Sequence, residues 1–267
     1  MKRLLLLWLI ICAFCAQNAL GQAAVSPYQT SWLKDGAIIA GGVGASLVGS
    51  YLMDKKDKVT LQELAALNKN NVNGLDRFAA GNYSTRAESV SDVFFYGSFA
   101  TPLLLLLDKD IQQNAPQVYL LYGQAMSIAG GVYSLTTGNS RRRRPYVYAA
   151  DAPLELRTDK QATNSFYAGH TAATATATFF LAKVYHDFNP DSPVRPYIWA
   201  AAASVPATVA YLRLKAGKHF VSDNIVGYVV GASIGILVPE LHKRNSSISL
   251  LPESNEQYEG VAIICTF

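Results

Sequence analysis

Seven long apolar stretches, separated by short polar connections, constrain this chain more than any other feature of its sequence. The first is Leu4 to Ala16, behind the basic start Met1-Lys2-Arg3 and followed by small residues at Ala19, Gly21, Ala23 and Ala24. A basic start, an apolar stretch of that length and small residues behind it form a secretory signal peptide, with cleavage expected near Gly21. Its removal takes Cys12 and Cys15 away and leaves Cys265 alone, so no internal disulfide staples the exported chain. It also takes Lys2 and Arg3, which lowers the net charge from +4 to +2 and leaves no global attraction for nucleic acid.

The other stretches are Gly36–Met53, Val93–Leu107, Pro116–Thr137, His170–Tyr185, Tyr197–Leu212 and Asn224–Leu241. Their lengths suit helices, and none sustains a two-residue alternation. Asp54-Lys55-Lys56-Asp57-Lys58, Asp108-Lys109-Asp110 and Gly138-Asn139 close three of them with charges or a helix stop. The expected fold is therefore all-α, a bundle of five to six core helices. With 50% hydrophobic and only 16% charged residues, disorder is excluded. The same composition fits both a soluble bundle and a membrane-embedded one. By length alone, Pro116–Thr137 reaches the roughly 20 apolar residues of a membrane span and Gly36–Met53 is borderline. The tail differs: Ile248–Pro252 and Gly260–Phe267 flank a polar connection and read as a C-terminal β-hairpin. The organisation expected is a signal peptide over 1–21, a helical domain over 22–245 and the tail over 246–267.

Antiparallel helices place chemistry at one end of such a bundle. Pro116–Thr137 ends before Arg141-Arg142-Arg143-Arg144-Pro145, and the next long helix starts at His170. Tyr197–Leu212 then returns and delivers Arg213, with His219 and Asp223 in the following connection and helix start. Arg144, His170, Arg213, His219 and Asp223 should thus converge, while His186, Asp187 and His242 fall at the opposite end. Asp76, Arg77 and Asp92 are read as braces of the loops.

The ordered set Arg144-Pro145, Gly169-His170-Thr171 and Arg213-x5-His219-x3-Asp223 resembles the three-part signature of the type 2 phosphatidic acid phosphatase and vanadium haloperoxidase superfamily. That pattern is Lys-x6-Arg-Pro, Pro-Ser-Gly-His and Ser-Arg-x5-His-x3-Asp. The third part matches apart from Leu212 in place of the leading serine. In Ser165-Phe166-Tyr167-Ala168-Gly169-His170, Tyr167 and Ala168 stand where the pattern has Pro and Ser. The position of the motif lysine falls on Thr137. The resemblance implies a helical phosphatase that works without metal or cofactor on a phosphorylated lipid or small phosphate ester, in the periplasm or cell envelope. Vanadate-dependent haloperoxidase chemistry is the alternative, and a non-catalytic envelope protein of the same fold is a third reading.

The residues support the same chemistry by their own properties. A phosphoryl group in transfer spreads negative charge over three oxygens. Arg144 and Arg213 offer planar forks of donors, and Gly169 lets the N-terminus of the His170 helix approach an anion. His219 can attack phosphorus when neutral. Asp223 is expected to hold one of its ring nitrogens protonated by a direct hydrogen bond of about 2.6–3.2 Å. His170 can protonate the leaving group. Arg141 or Arg142 is expected to restore the charge missing at Thr137, with Lys215 and Lys218 as further candidates.

Overall fold

The computed structural model describes residues 25–244 and, as backbone alone, 248–255 and 258–265. The expected signal peptide, with Cys12 and Cys15, lies outside the described residues. Nine α-helices are present among them: α1 Trp32–Asp54, α2 Leu61–Ala65, α3 Thr85–Ala100, α4 Lys109–Gln113, α5 Ala115–Asn139, α6 Leu154–Thr158, α7 Gly169–Phe188, α8 Arg195–Lys215 and α9 Val221–Leu241. The fold is all-α, with six long helices and short 3-10 turns between them. In the tail, β1 Ile248–Asn255 runs antiparallel to β2 Tyr258–Cys265, with Ile248 opposite Cys265.

Side-chain caps set where two of the long helices start. Ser31 accepts from the backbone of Lys34 and Ser84 from that of Ala87. The Ser84 cap draws the polar turn Thr85–Asp92 into α3, so this helix starts well before the apolar stretch that announced it. With its 3-10 extension it covers Thr85–Leu107, which is long and apolar enough to cross a membrane, as are Trp32–Asp54 and Val221–Leu241. The sequence expectation put Pro116–Thr137 first and Gly36–Met53 as borderline; the second lies within the candidate span Trp32–Asp54, whereas the first is not among the three. That stretch is uncharged, but it is rich in Gly, Ser, Thr and Tyr, and eight residues of α5 are buried inside the bundle. Apolar side chains face outward on the three candidate spans, among them Leu33 and Leu47 on α1, Val93 on α3, and Ile225 and Val229 on α9. Exposed apolar surface on this scale marks membrane association.

Small residues fix how closely the helices approach. On α9, a Cβ added at Gly227, Gly231 or Gly235 would lie 2.5, 2.1 and 2.6 Å from the carbonyl oxygens of Ala168, Ala172 and Thr176. The four-residue repeat on α9 thus meets a four-residue repeat at the start of α7, and it sets the start of α9 beside that of α7. The outer helix α1 packs on α5 in the same way, through Gly42 against Ser127 and Gly49 against Ser134.

The helices alternate in direction, so one end of the bundle collects the C-termini of α1, α5 and α8 and the N-termini of α3, α7 and α9. The other end is closed by ion pairs. Buried Asp187 accepts from Tyr28 and pairs with Lys183 and Lys243, and His242 faces Asp35 at 3.1 Å. His186 accepts from the Trp199 indole. The three distal residues expected to be structural sit in this network or beside it.

Candidate active site

The arginine run is extended, and extended backbone alternates its side chains between two faces. It zips onto the segment that precedes α7: Arg142 and Arg144 donate their backbone N–H groups to Thr163 and Ala162, and Ser165 donates back to Arg142. Arg142 and Arg144 consequently point inward, while Arg141 and Arg143 both reach Glu63 near the surface, at 3.3 and 3.0 Å.

Arg144 and Arg213 are buried, and the Nε atom of each has no hydrogen-bond partner. Arg213 is anchored by its outer nitrogen, 3.1 Å from Asp92 Oδ1 and 3.2 Å from Ser91 Oγ. The same Asp92 oxygen lies 3.2 Å from His170 Nε2, so one carboxylate orients an arginine and a histidine together. The Phe95 ring stacks on the His170 imidazole, with centroids 3.9 Å apart, and fixes its plane. The N-terminus of α7 has no side-chain cap, which leaves its first N–H groups open toward this end. Gly169 serves a different purpose there from the one expected: a Cβ on it would lie 2.6 Å from the Tyr133 ring, so glycine makes room for that tyrosine.

His219 is buried, in the turn between α8 and α9. Its Nδ1–H donates to the carbonyl oxygen of Ser165 at 2.7 Å, which leaves the lone pair on Nε2. Burial first, then the charges of Arg144 and Arg213, hold this imidazole well below the ordinary histidine range, and it stays neutral. Its neighbour Lys218 is buried too. Lys218 pairs with Glu88 at 2.6 Å and lies over the Tyr146 ring. Burial lowers its pKa, opposed by the bond to Glu88.

Three sequence expectations are corrected. Asp223 does not bond His219; its carboxylate accepts from Ser165 Oγ at 2.7 Å and from the Phe220 N–H at 2.9 Å, and it pairs with Arg142. Arg142 is no anion donor, because its guanidinium is spent on Asp223, on Asp76 at 2.6 Å and on Ser222 Oγ at 2.9 Å. Arg141 is held by Glu63 on the outward face and does not enter the site. Thr137, at the position of the motif lysine, is buried and donates its hydroxyl to Phe166 O. Lys56, just past the end of α1, caps the end of α5, donating to the carbonyls of Thr137 and Ser140 and to Asn164 Oδ1. Its pKa falls to about 8 through burial and the nearby Arg141 and Arg144.

Asp76 is a brace, as expected, and so is Arg77, which donates to the carbonyls of Val72 and Asn70. Asp92, expected among the braces, stands in the site instead. Glu88 and Asp92 are acids four residues apart in the polar first half of α3, a spacing that puts both on one face. That spacing was the available signal. Ser165 and Tyr133 carried no such signal.

The arrangement is a helical bundle whose one end holds two histidines among buried cations with unsatisfied donors. The PAP2 superfamily model matches residues 118–247, a segment that contains Arg144, His170, Arg213, His219 and Asp223, and this match supports placing the chain in that superfamily. The fold is similar to the crystal structure of Aquifex aeolicus LpxE, at 20% identity over 61% of this chain and 90% of that one, with a TM-score of 0.42. It is also similar to that of the first transmembrane PAP2 type phosphatidylglycerolphosphate phosphatase from Bacillus subtilis, at 17% identity over 74% and 93%, with a TM-score of 0.44. A search of curated proteins finds no match. The match supports phosphatase activity in general.

Proposed function

We propose that the chain is a phosphatase of the cell envelope, exported by its N-terminal segment and embedded in the membrane, and that it hydrolyses a phosphate monoester or pyrophosphate, most naturally of a lipid. The carrying observation is the pair of buried guanidinium groups with unpartnered Nε atoms, on Arg144 and Arg213, beside a neutral buried His219. Burying a donor without a partner costs about 1–3 kcal/mol, so two such donors side by side indicate a site held open for an anion.

In this reading Arg144, Arg213 and the open N-terminus of α7 hold the three phosphoryl oxygens. His219 Nε2 attacks phosphorus, and the P–O bond to the leaving group breaks as a P–N bond forms. His170, which burial and then the charges of Arg213 and Arg144 hold neutral in the free site, takes up a proton once the phosphoryl anion is bound, delivers it to the departing oxygen and then takes one from the water that cleaves the phosphohistidine. Lys218, one residue before His219, supplies the ammonium that Thr137 does not.

The test is phosphate release by the purified chain on a panel of lipid phosphates, isoprenoid pyrophosphates and an aromatic phosphate ester. Release that is lost in His219→Ala, with an acid-labile phosphoryl adduct trapped on the wild type, is the expected result. A folded wild-type chain that releases phosphate from none of them would overturn the proposal and leave a non-catalytic member of the fold. Full activity in His219→Ala would overturn the mechanism.

A further inference from the structure

His219, Ser165 and Asp223 are joined in a line that uses two different groups of the middle residue. The Ser165 carbonyl accepts from His219 Nδ1 at 2.7 Å, and the Ser165 hydroxyl donates to Asp223 Oδ2 at 2.7 Å. Ser165, Asp223 and Asp76 have no exposed surface. Behind Asp223 the network closes. Arg142 bridges Asp223 and Asp76, and Asp76 in turn accepts from Ser222 N at 3.0 Å and from Ser222 Oγ at 2.6 Å. The Ala168 N–H donates to the Asp223 carbonyl at 3.1 Å, which ties the residue before α7 to the start of α9.

We infer that Ser165 is the positioning residue through which Asp223 acts on His219, with Arg142 and Asp76 as the fixed backing of that link. The carboxylate holds the hydroxyl, the hydroxyl fixes the peptide, and the peptide carbonyl holds the imidazole as its Nδ1–H tautomer with Nε2 free. A carbonyl can only accept, so this partner admits one neutral tautomer, and a carboxylate two groups away governs the ring without touching it. The backing is rigid because both carboxylates are fully buried and each of their oxygens is paired inside the protein. The inference rests on the phosphatase reading for its kinetic consequence and stands on geometry for its structural one.

Two measurements separate these. The chain has four histidines, so 15N-histidine labelling gives a spectrum that single substitutions can assign. Wild type should show His219 neutral with the proton on Nδ1. Ser165→Ala and Asp223→Asn should each move the His219 ring signals in the same direction, and the double variant should go no further, since both break one chain of contacts. Ser165→Thr, which keeps the hydroxyl, should recover most of the wild-type pattern.

In turnover, Ser165→Ala should lower kcat on the order of 10²-fold with little change in KM, the scale of a misplaced reacting group. Asp223→Asn should add nothing to it. Ring signals indifferent to Ser165→Ala, or effects of the two substitutions that add, would overturn the positioning role. If Asp223→Asn fails to fold, the Ser165→Ala and Ser165→Thr pair decides alone. A wild type without phosphatase activity would end the functional reading while the ring signals still decide the positioning one.

Discussion

Replacing each arginine of the 141–144 run with methionine in turn separates a built site from a diffuse basic patch. Arg142 is the informative position. Its guanidinium is the only cation bonded to Asp76 and Asp223 among the described residues, and both carboxylates are fully buried. It also lies 4.8 Å over the Phe220 ring, so a methionine fills part of its volume and isolates the loss of charge. Removing one partner of a buried ion pair costs about 3–5 kcal/mol.

A second route gives a similar ceiling. The stranded carboxylate can escape by taking a proton, which for an ordinary aspartate costs about 4 kcal/mol at pH 7 and about 1.5 kcal/mol at pH 5. The folded variant then binds a proton that the unfolded chain does not, so its stability rises, relative to wild type, as pH falls. Thermal unfolding in one detergent at pH 7 and pH 5 reads both effects. The expected shift for Arg142→Met is a drop of about 8–16 °C at pH 7 that shrinks by more than half at pH 5. Arg141→Met and Arg143→Met, on the exposed Glu63 side, should unfold close to wild type. Arg144→Met should also remain stable, since its Nε has no partner to lose, while turnover falls about 10²–10³-fold. Four similar small shifts, or an Arg142→Met penalty indifferent to pH, would refute the inward and outward assignment.

The pH dependence of His219 has a definite sign. Its folded pKa is depressed, so the stability of the neutral form is fully present above about pH 6.5 and is lost as pH falls toward the folded value, by up to about 1.4 kcal/mol per pH unit. His219→Asn should flatten that slope in thermal melts, and the acid limb of wild-type kcat/KM should lie below pH 6.5. Asp92→Asn should lower kcat about 10²-fold on alkyl phosphates and less on an aromatic ester with a good leaving group, because it unseats His170, the proton donor. Gly217→Ala should cost about 3 kcal/mol in unfolding measurements: φ is +71° there, and the new Cβ would meet Asn82 O at 1.8 Å. Gly97→Ala, with open space around it, is the control.

Which parts of this site the sequence disclosed follows from how the contacts are made. Helix direction and length are local properties, so alternating apolar stretches were enough to bring Arg144, His170, Arg213 and His219 to one end of the bundle. Contacts to backbone are a different matter. Ser165 holds His219 through a carbonyl that every residue type carries, so no residue type could announce it. Asp223 follows His219 by one helical turn, the spacing of a direct contact. Its carboxylate instead turns back to the N–H of the N-cap residue Phe220 and across to buried Ser165, as an acid in the first turn of a helix readily does. Arg142 and Arg144 were indistinguishable in a run of four because their roles depend on what faces an extended segment. Asp76 stands 66 residues before Arg142 in sequence and closes the inner face at that point, leaving Arg144 as the inward arginine with an unspent donor. The same logic favours Lys218 as the proposed stand-in for the absent motif lysine. An ammonium can enter the site from any element that ends there, and α8 ends beside His219, whereas Lys56, which sits nearest to Thr137, spends its donors on the carbonyls and amide oxygen that cap α5.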